Sequence, residues 1–220
     1  MREFTLYIGS KTTSSWSLRG WLACKLAGID FDEVVIPLHL PETHDKILKV
    51  SPSGRVPALH HGSLRLWDTM AIGEYLAELI PNRGLWPADR AARAHARAIS
   101  AEMHAGFVEL RRSMFMNVRR RFPGKGRTPG ALADIARICE IWRTARTQYA
   151  SGGAFLFGPM SLADAMYAPV ATRFITWAPE LPDHANAYAK AVWDHPLLKE
   201  WVAGAETEPR PVASLDVATE

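Results

Sequence analysis

Residues 10–22 read "SKTTSSWSLRGWL". Thr12, Thr13, Ser14, Ser15 and Ser17 place five hydroxyls in six positions, and an amphipathic run follows at once. The segment before it, Phe4–Ile8, is short, aromatic and β-branched, the composition of a buried strand. The stretch therefore predicts a strand that hands over to a helix near Ser14 and Ser15. That helix runs from Ser15 to Ala27 and stops at Gly28, a residue free to take the left-handed conformation. A hydroxyl at this handover caps the helix, or it donates a hydrogen bond to something bound there.

Working outward, "DEVVIPL" (32–38) reads as a second strand and "ETHDKILKV" (42–50) as a short helix ended by "SPSG". "VPALHHGSLRLW" (56–67) reads as two strands around a His61–Gly62 turn. "DTMAIGEYLAELI" (68–80) is an amphipathic helix carrying Met70, Ile72, Tyr75, Leu76, Leu79 and Ile80. The order β-α-β-α-β-β-α predicts a mixed sheet with helices over residues 1–80. Residues 81–90, "PNRGLWPADR", contain two prolines and a glycine and read as a linker. Beyond it the character changes to all-helical. One long helix is expected over 90–122, broken by "FPGKGRTPG", with further helices near 129–150, 161–178, 184–193 and 196–204. Residues from 208 onward read as a loose tail. An α/β domain (1–80), a linker (81–90) and an all-helical domain (91–220) result, with a natural binding cleft between the two domains.

The bulk numbers fit a globular chain. Of 220 residues, 48% are hydrophobic and 22% charged, and the formal net charge is only +3. Arg111, Arg112, Arg119, Arg120 and Arg121 cluster, and a solvated helix face is the expected reading rather than a nucleic-acid surface. The two cysteines, Cys24 and Cys139, sit in apolar helical patterns and are expected as buried free thiols. No zinc-ligand spacing, signal-peptide pattern or membrane-length apolar run is visible, so a soluble cytoplasmic protein without metal is expected.

Four further stretches carry chemistry or its structural equivalent. In "SGRVPAL", Pro57 stands at a strand start, where it cannot donate to a ladder. A trans proline opens an edge strand there; a cis Val56–Pro57 bond turns the Val56 backbone outward for an extended, peptide-like ligand. In "WDTMAIGEYL", Asp68 and Thr69 serve as a helix cap, or as a site pairing a helix N-terminus with a carboxylate and Asp68 with an ammonium. In "SLAD", Ser161 and Asp164 have the form of a capping box that starts a core helix. In the long helical run, Met103, His104, Phe107, Leu110, Arg111 and Met114 form one stripe. The polar His104 and Arg111 in that stripe are either satisfied core groups or the wall of a cleft that holds an anion. At the opening stretch, a hydroxyl beside a helix N-terminus favours a bound thiolate, because a thiol of pKa about 8.5 is little ionised at neutral pH. No base–acid constellation surrounds these serines, so none of them reads as a nucleophile.

Taken in order, the hydroxyl-rich helix start, the Val-Pro strand start, the Asp-Thr helix start and the S-x-x-D helix in an all-α second domain resemble the glutathione transferase superfamily. The resemblance spans about residues 4–205 and is most similar to the zeta class, whose pattern is Ser-Ser-Cys-x-Trp-Arg. It implies a thioredoxin-like N-terminal domain, a helical C-terminal domain, glutathione as co-substrate and a homodimer. On that match Ser14 is the thiolate-stabilising serine with Ser15 its neighbour, and Arg19 takes the arginine position. Val56, preceding Pro57, pairs with the cysteinyl unit; Asp68 and Thr69 hold the γ-glutamyl end; Arg55 meets the glycyl carboxylate. Trp16, His104, Phe107, Arg111, Met114 and Arg173 form the electrophile pocket, with Arg173 read either as a ligand for a substrate carboxylate or as a surface ion pair. Trp16 stands where zeta enzymes have cysteine, and Asp68 is one methylene shorter than the usual Glu. The implied activity is attack of the glutathione thiolate on a small electrophile, in the manner of a detoxifying transferase. The alternatives are a maleylacetoacetate-type cis–trans isomerase and a non-catalytic binding or regulatory protein of the same fold.

Overall fold

The computed structural model describes residues 2–151 and 153–209, so the tail expected from residue 208 lies, from 210 on, outside the described residues. The first half folds as β1 (Phe4–Ile8), α1 (Ser15–Ala27), β2 (Phe31–Val35), α2 (Thr43–Leu48), β3 (Ala58–His61), β4 (Leu64–Trp67) and α3 (Thr69–Leu79), the order expected from the sequence. The sheet runs β2-β1-β3-β4. β1 pairs parallel with β2 and antiparallel with β3, placing Leu6 beside Glu33 on one side and Leu59 on the other. β1 alternates in burial, and Phe4, Leu6 and Ile8 point into the core. The β2 strand begins at Phe31 and ends at Val35, earlier than the 32–38 expected, because Pro37 lacks the N–H that a ladder needs.

The α1 helix begins and ends as its sequence requires. Ser14 caps it, its side chain accepting from Ser17 N–H, and Gly28 closes it at φ 69°. It packs against α3 on one side and, on the other, against α7 (Leu162–Trp177) of the helical half. With both flanks covered, even Ser17 and Arg19 are buried. Gly20 permits the close approach of the Pro57 ring, since a Cβ there would lie 2.7 Å from Pro57 Cγ.

The helical half adds α4 (Arg90–Ala105), α5 (Val108–Ser113), α6 (Pro129–Tyr149), α7, α8 (Asp183–Asp194) and α9 (Pro196–Glu206). The α7 helix is apolar around most of its circumference and forms the centre of this half. Its start is the expected capping box, buried and extended: Ser161 N–H and Oγ both donate to Asp164 Oδ2, while Leu156 N–H and Tyr188 Oη–H donate to Oδ1. Burial pushes the Asp164 carboxyl up, and the four donors oppose that push. Four tryptophans, Trp21, Trp142, Trp177 and Trp201, are at most 1% exposed. Trp21, Trp177 and Trp201 donate their indole N–H to Glu33, the Phe115 carbonyl and the Lys11 carbonyl respectively.

The single long helix expected over 90–122 is not formed. α4 ends at Ala105, Phe107 takes φ 58°, and α5 is a separate short helix that stops at Ser113. The physical reason lies in Arg111, whose guanidinium turns back and donates to the Met103 and His104 carbonyls at the end of α4. A cation there satisfies orphan carbonyls and complements the helix dipole. Phe107 takes the left-handed conformation while its ring is buried at 7% exposure, so packing offsets the backbone cost. The arginine cluster consequently lies on no common helix face: Arg112 belongs to α5, whereas Arg119, Arg120 and Arg121 lie beyond it. Cys24 and Cys139 are free and buried; burial pushes the Cys24 thiol up strongly and Cys139 up to about 11.

Candidate functional site

A cleft of about 400 Å³ opens where the start of α1, the α2–β3 connection, the start of α3 and the end of α4 converge. Trp16, Arg55, Val56, Pro57, Asp68, Thr69 and His104, seven of the residues singled out from the sequence, line it. Ser53 and Trp67 line it as well and carried no motif. No sequence signal marks Trp67: only in the fold does this strand-ending tryptophan show 44% exposure, with no core to fill.

Each wall has a local cause. The Val56–Pro57 bond is cis, and it precedes β3. Gly54, at φ 66°, and Ser53 Oγ, which accepts from Arg55 N–H, shape the approach to it. Asp68 caps α3 with its carboxylate on Met70 N–H, at an unusual φ of 74° for a residue with a Cβ. Its other oxygen lies 2.7 Å from His104 Nε2 across the cleft, so α3 of the sheet half and α4 of the helical half are joined at this point. Thr69 is buried, and its hydroxyl has no partner among the described residues.

Trp16 projects from the first turn of α1 into a cluster of cations. The Arg19 guanidinium lies 4.4 Å from its ring centroid, the Arg111 guanidinium 4.9 Å, and the His104 ring meets it edge-on at 5.1 Å. Arg173 stands near this group in charge terms, since Arg111 acts on it and it acts on Arg19. Burial together with the neighbouring cation holds Arg173 down to about 9, and burial likewise lowers Arg111. Arg173 is neither exposed nor ion-paired at the surface: it is buried and donates to the Met114 and Pro169 carbonyls. Phe107 and Met114 are buried in the core and are not among the residues that line the cleft.

The two serines occupy distinct positions. Ser14 is buried at 9% exposure, and its hydroxyl donates to Ser17 Oγ at 2.7 Å, which in turn accepts from Gly9 N–H. Ser15 is half-buried on the first turn of α1. Neither serine is among the residues lining the cleft; their neighbour Trp16 is.

The cleft offers an extended backbone edge, a helix N-terminus with a carboxylate at its cap, and an exposed arginine at the far end. That is a place for a short peptide with an anionic end and an ammonium. Beside it stand an aromatic ring and cations fit for a second, electron-poor or anionic reactant.

Comparison with known proteins bears on this geometry. Residues 13–79 match the family described as glutathione S-transferase, N-terminal domain. A curated relative, a probable maleylacetoacetate isomerase of Caenorhabditis elegans, is 25% identical over 173 residues, covering 77% of this chain and 79% of its own. A glutathione transferase homologue from Burkholderia, solved with bound glutathione, superposes with a TM-score of 0.71 at 24% identity over 94% of this chain and 100% of its own. A bacterial maleyl pyruvate isomerase, described as a zeta-class glutathione S-transferase, superposes with a TM-score of 0.70 at 22% identity, over 94% and 100%. The thioredoxin-like sheet followed by a helical half is thus the glutathione transferase fold, and a curated zeta-class glutathione S-transferase of Euphorbia esula is 38% identical over 88 residues, 40% of this chain and 37% of its own.

Proposed function

Because the chain has the glutathione transferase fold and is similar to zeta-class members, we propose that it is a glutathione transferase-like enzyme that activates the glutathione thiol with a serine hydroxyl. The observation that carries the proposal is the convergence of Val56–Pro57, Asp68–Thr69, Arg55 and Trp16 on one cleft. In this reading the Val56 backbone pairs with the cysteinyl unit. The α3 N-terminus with Thr69 holds the γ-glutamyl carboxylate, Asp68 holds its ammonium, and Arg55 meets the glycyl carboxylate. The Ser14 hydroxyl swings from Ser17 toward the sulfur and donates to it. A hydroxyl donor and the α1 N-terminus both favour the thiolate, and each pKa unit is worth about 1.4 kcal/mol. The thiol proton goes to solvent, the sulfur forms a bond to the electrophilic carbon, and the leaving group takes its electron pair.

One observation favours Ser15 as the donor instead: it is half-buried at the first helical position, while the Ser14 hydroxyl is engaged with Ser17. A second observation favours an anionic electrophile and an isomerase-type outcome. The half-buried Arg111 lies beside Trp16, and its Nε is buried with no protein acceptor among the described residues. In that case the thiolate adds, the carbon–carbon bond rotates and the thiolate leaves. A homodimer, with the sheet half of one copy against the helices of the other, belongs to the same proposal.

Calorimetric titration with glutathione, followed by turnover of an aryl halide and of a maleyl acid, tests the reading. Micromolar to millimolar binding with net glutathione consumption supports the transferase, and turnover without consumption supports the isomerase. Absence of binding at millimolar glutathione overturns both and leaves a binding protein of the same fold.

A further inference from the structure

A second, much smaller cavity lies behind the α3 N-terminus, between α1, α3, α7 and the segment that joins the two halves. Its volume is about 10 Å³, room for a single atom-sized occupant. Arg19, Thr69 and Trp86 border it, and all three are buried, at 2%, 5% and 7% exposure. Each brings a buried polar atom with no partner among the described residues: Arg19 Nη1 and Nη2, Thr69 Oγ1 and Trp86 Nε1. The rest of the wall is apolar, including Met70, Leu162 and Met166.

The donor count identifies the occupant. Two guanidinium nitrogens and an indole N–H are donors only, and the threonine hydroxyl is the one group that also accepts. A water in this space accepts twice at most and must place its own two protons, for which the wall offers the threonine oxygen and the Met166 carbonyl that Arg19 Nε already engages. An anion accepts from every one of these groups and asks nothing of the wall. Charge points the same way. Arg19 spends its Nε on the Met166 carbonyl and its face on Trp16, and among the described residues it has no carboxylate partner. Burial, Arg173 and Arg111 all act against its charge, with Tyr167 alone opposing them. A buried charge without a counter-charge is costly, and a small anion removes that cost.

We propose that this cavity is a structural binding site for one monatomic anion of the halide class, held by Arg19, Thr69 and Trp86 at the seam between the sheet half and the helical half. The occupant ties α1 and α3 to the joining segment. It neutralises the innermost cation of the arginine group without entering the cleft. The site shares Thr69 with the proposed glutathione cleft, but its occupancy does not require glutathione to be bound.

The test compares thermal unfolding of the full chain in sodium bromide and in sodium methanesulfonate at equal ionic strength, the second anion being too large for the cavity. It is paired with anomalous diffraction from bromide-soaked crystals. The expected result is a Tm several degrees higher in bromide, a saturable rise, and an anomalous peak between Arg19 and Trp86. Trp86→Phe, which removes one donor and keeps the ring, is expected to cut the bromide-dependent rise at least twofold; Thr69→Val is expected to act likewise and serves if Trp86→Phe folds poorly. Equal Tm in the two salts, a bromide response that both folded variants retain in full, or soaked crystals with no anomalous signal in the cavity overturns the proposal.

Discussion

The carboxylate of Glu208 lies against the loop that leads into α1, its Oε2 2.9 Å from Thr12 Oγ1. The same carboxylate accepts from Ser10 Oγ and from the Lys11 and Thr12 backbone N–H groups. The segment after α9 thus fixes the backbone immediately before Ser14, from almost two hundred residues away in sequence. Glu208→Ala leaves these donors without their acceptor, at a cost of about 1–3 kcal/mol. The expected outcome is a lower urea midpoint together with faster amide exchange confined to residues 10–14. Unchanged exchange in that loop counts against the contact.

Asp68 joins the cap of α3 to His104 and is the proposed partner of the glutathione ammonium. Asp68→Ala loses one charge-assisted hydrogen bond to the ligand, about 1.5–3 kcal/mol, and so is expected to raise the glutathione Kd about tenfold or more. The lost cap costs the fold only about 1 kcal/mol. Calorimetric titration beside a denaturant melt separates the two. His104→Ala, by freeing the carboxylate, is expected to leave that Kd within a few-fold of wild type.

Asp164 answers four buried donors at the start of α7. Asp164→Ala strands the Leu156 and Ser161 N–H groups in the core, and a loss of about 3 kcal/mol or more in unfolding free energy is expected. Glutathione affinity of the folded fraction is expected to stay unchanged, since this cap is remote from the cleft. A denaturation curve like that of wild type contradicts the assignment.

Acid is expected to weaken the fold before it reaches the carboxylate range. Burial lowers the pKa of both His95 and His195. In the unfolded chain each titrates near its ordinary value, about 6.5. As pH falls through that region the unfolded state takes up protons that the native state refuses, so stability drops with falling pH. His195 adds a specific cause, because its Nδ1 accepts from Leu197 N–H at the start of α9 and a protonated ring cannot. Tm is expected to decline from pH 7 to pH 5. His195→Asn, which caps without titrating, is expected to flatten part of that decline in a pH series of thermal melts.

Much of the fold was legible because its punctuation is local. Gly28 closes α1, Ser161 with Asp164 opens α7, and a two-residue turn separates β3 from β4, at Gly62–Ser63 rather than the expected His61–Gly62 because His61 stays in the ladder opposite Leu64. The break between α4 and α5 has one local mark, Gly106 at the C-cap of α4, and a lone glycine in a helical pattern is not by itself decisive. No proline stands there, and the buried Phe107 ring and the arginine returning to the α4 carbonyls are set by packing. The site divides in the same way. Val56–Pro57 and Asp68–Thr69 follow from strand and helix starts, and both line the cleft. The setting of Arg19 and Arg173 depends on what covers α1 and α7, which no spacing along the chain encodes. The sequence allows Ser14 to be either cap or thiolate donor; its hydroxyl rests on Ser17 and accepts from Ser17 N–H, which is the cap.

The thiol pKa of bound glutathione, followed by the ultraviolet absorbance of the thiolate across a pH series, tests the central claim most directly. Wild type is expected to hold that pKa at least one unit below the ordinary thiol value of about 8.5. Ser14→Ala is expected to return it toward that value while glutathione still binds, and Ser15→Ala to leave it low. A bound thiol that titrates near 8.5 in wild type, or a low pKa that survives removal of both hydroxyls, contradicts the account.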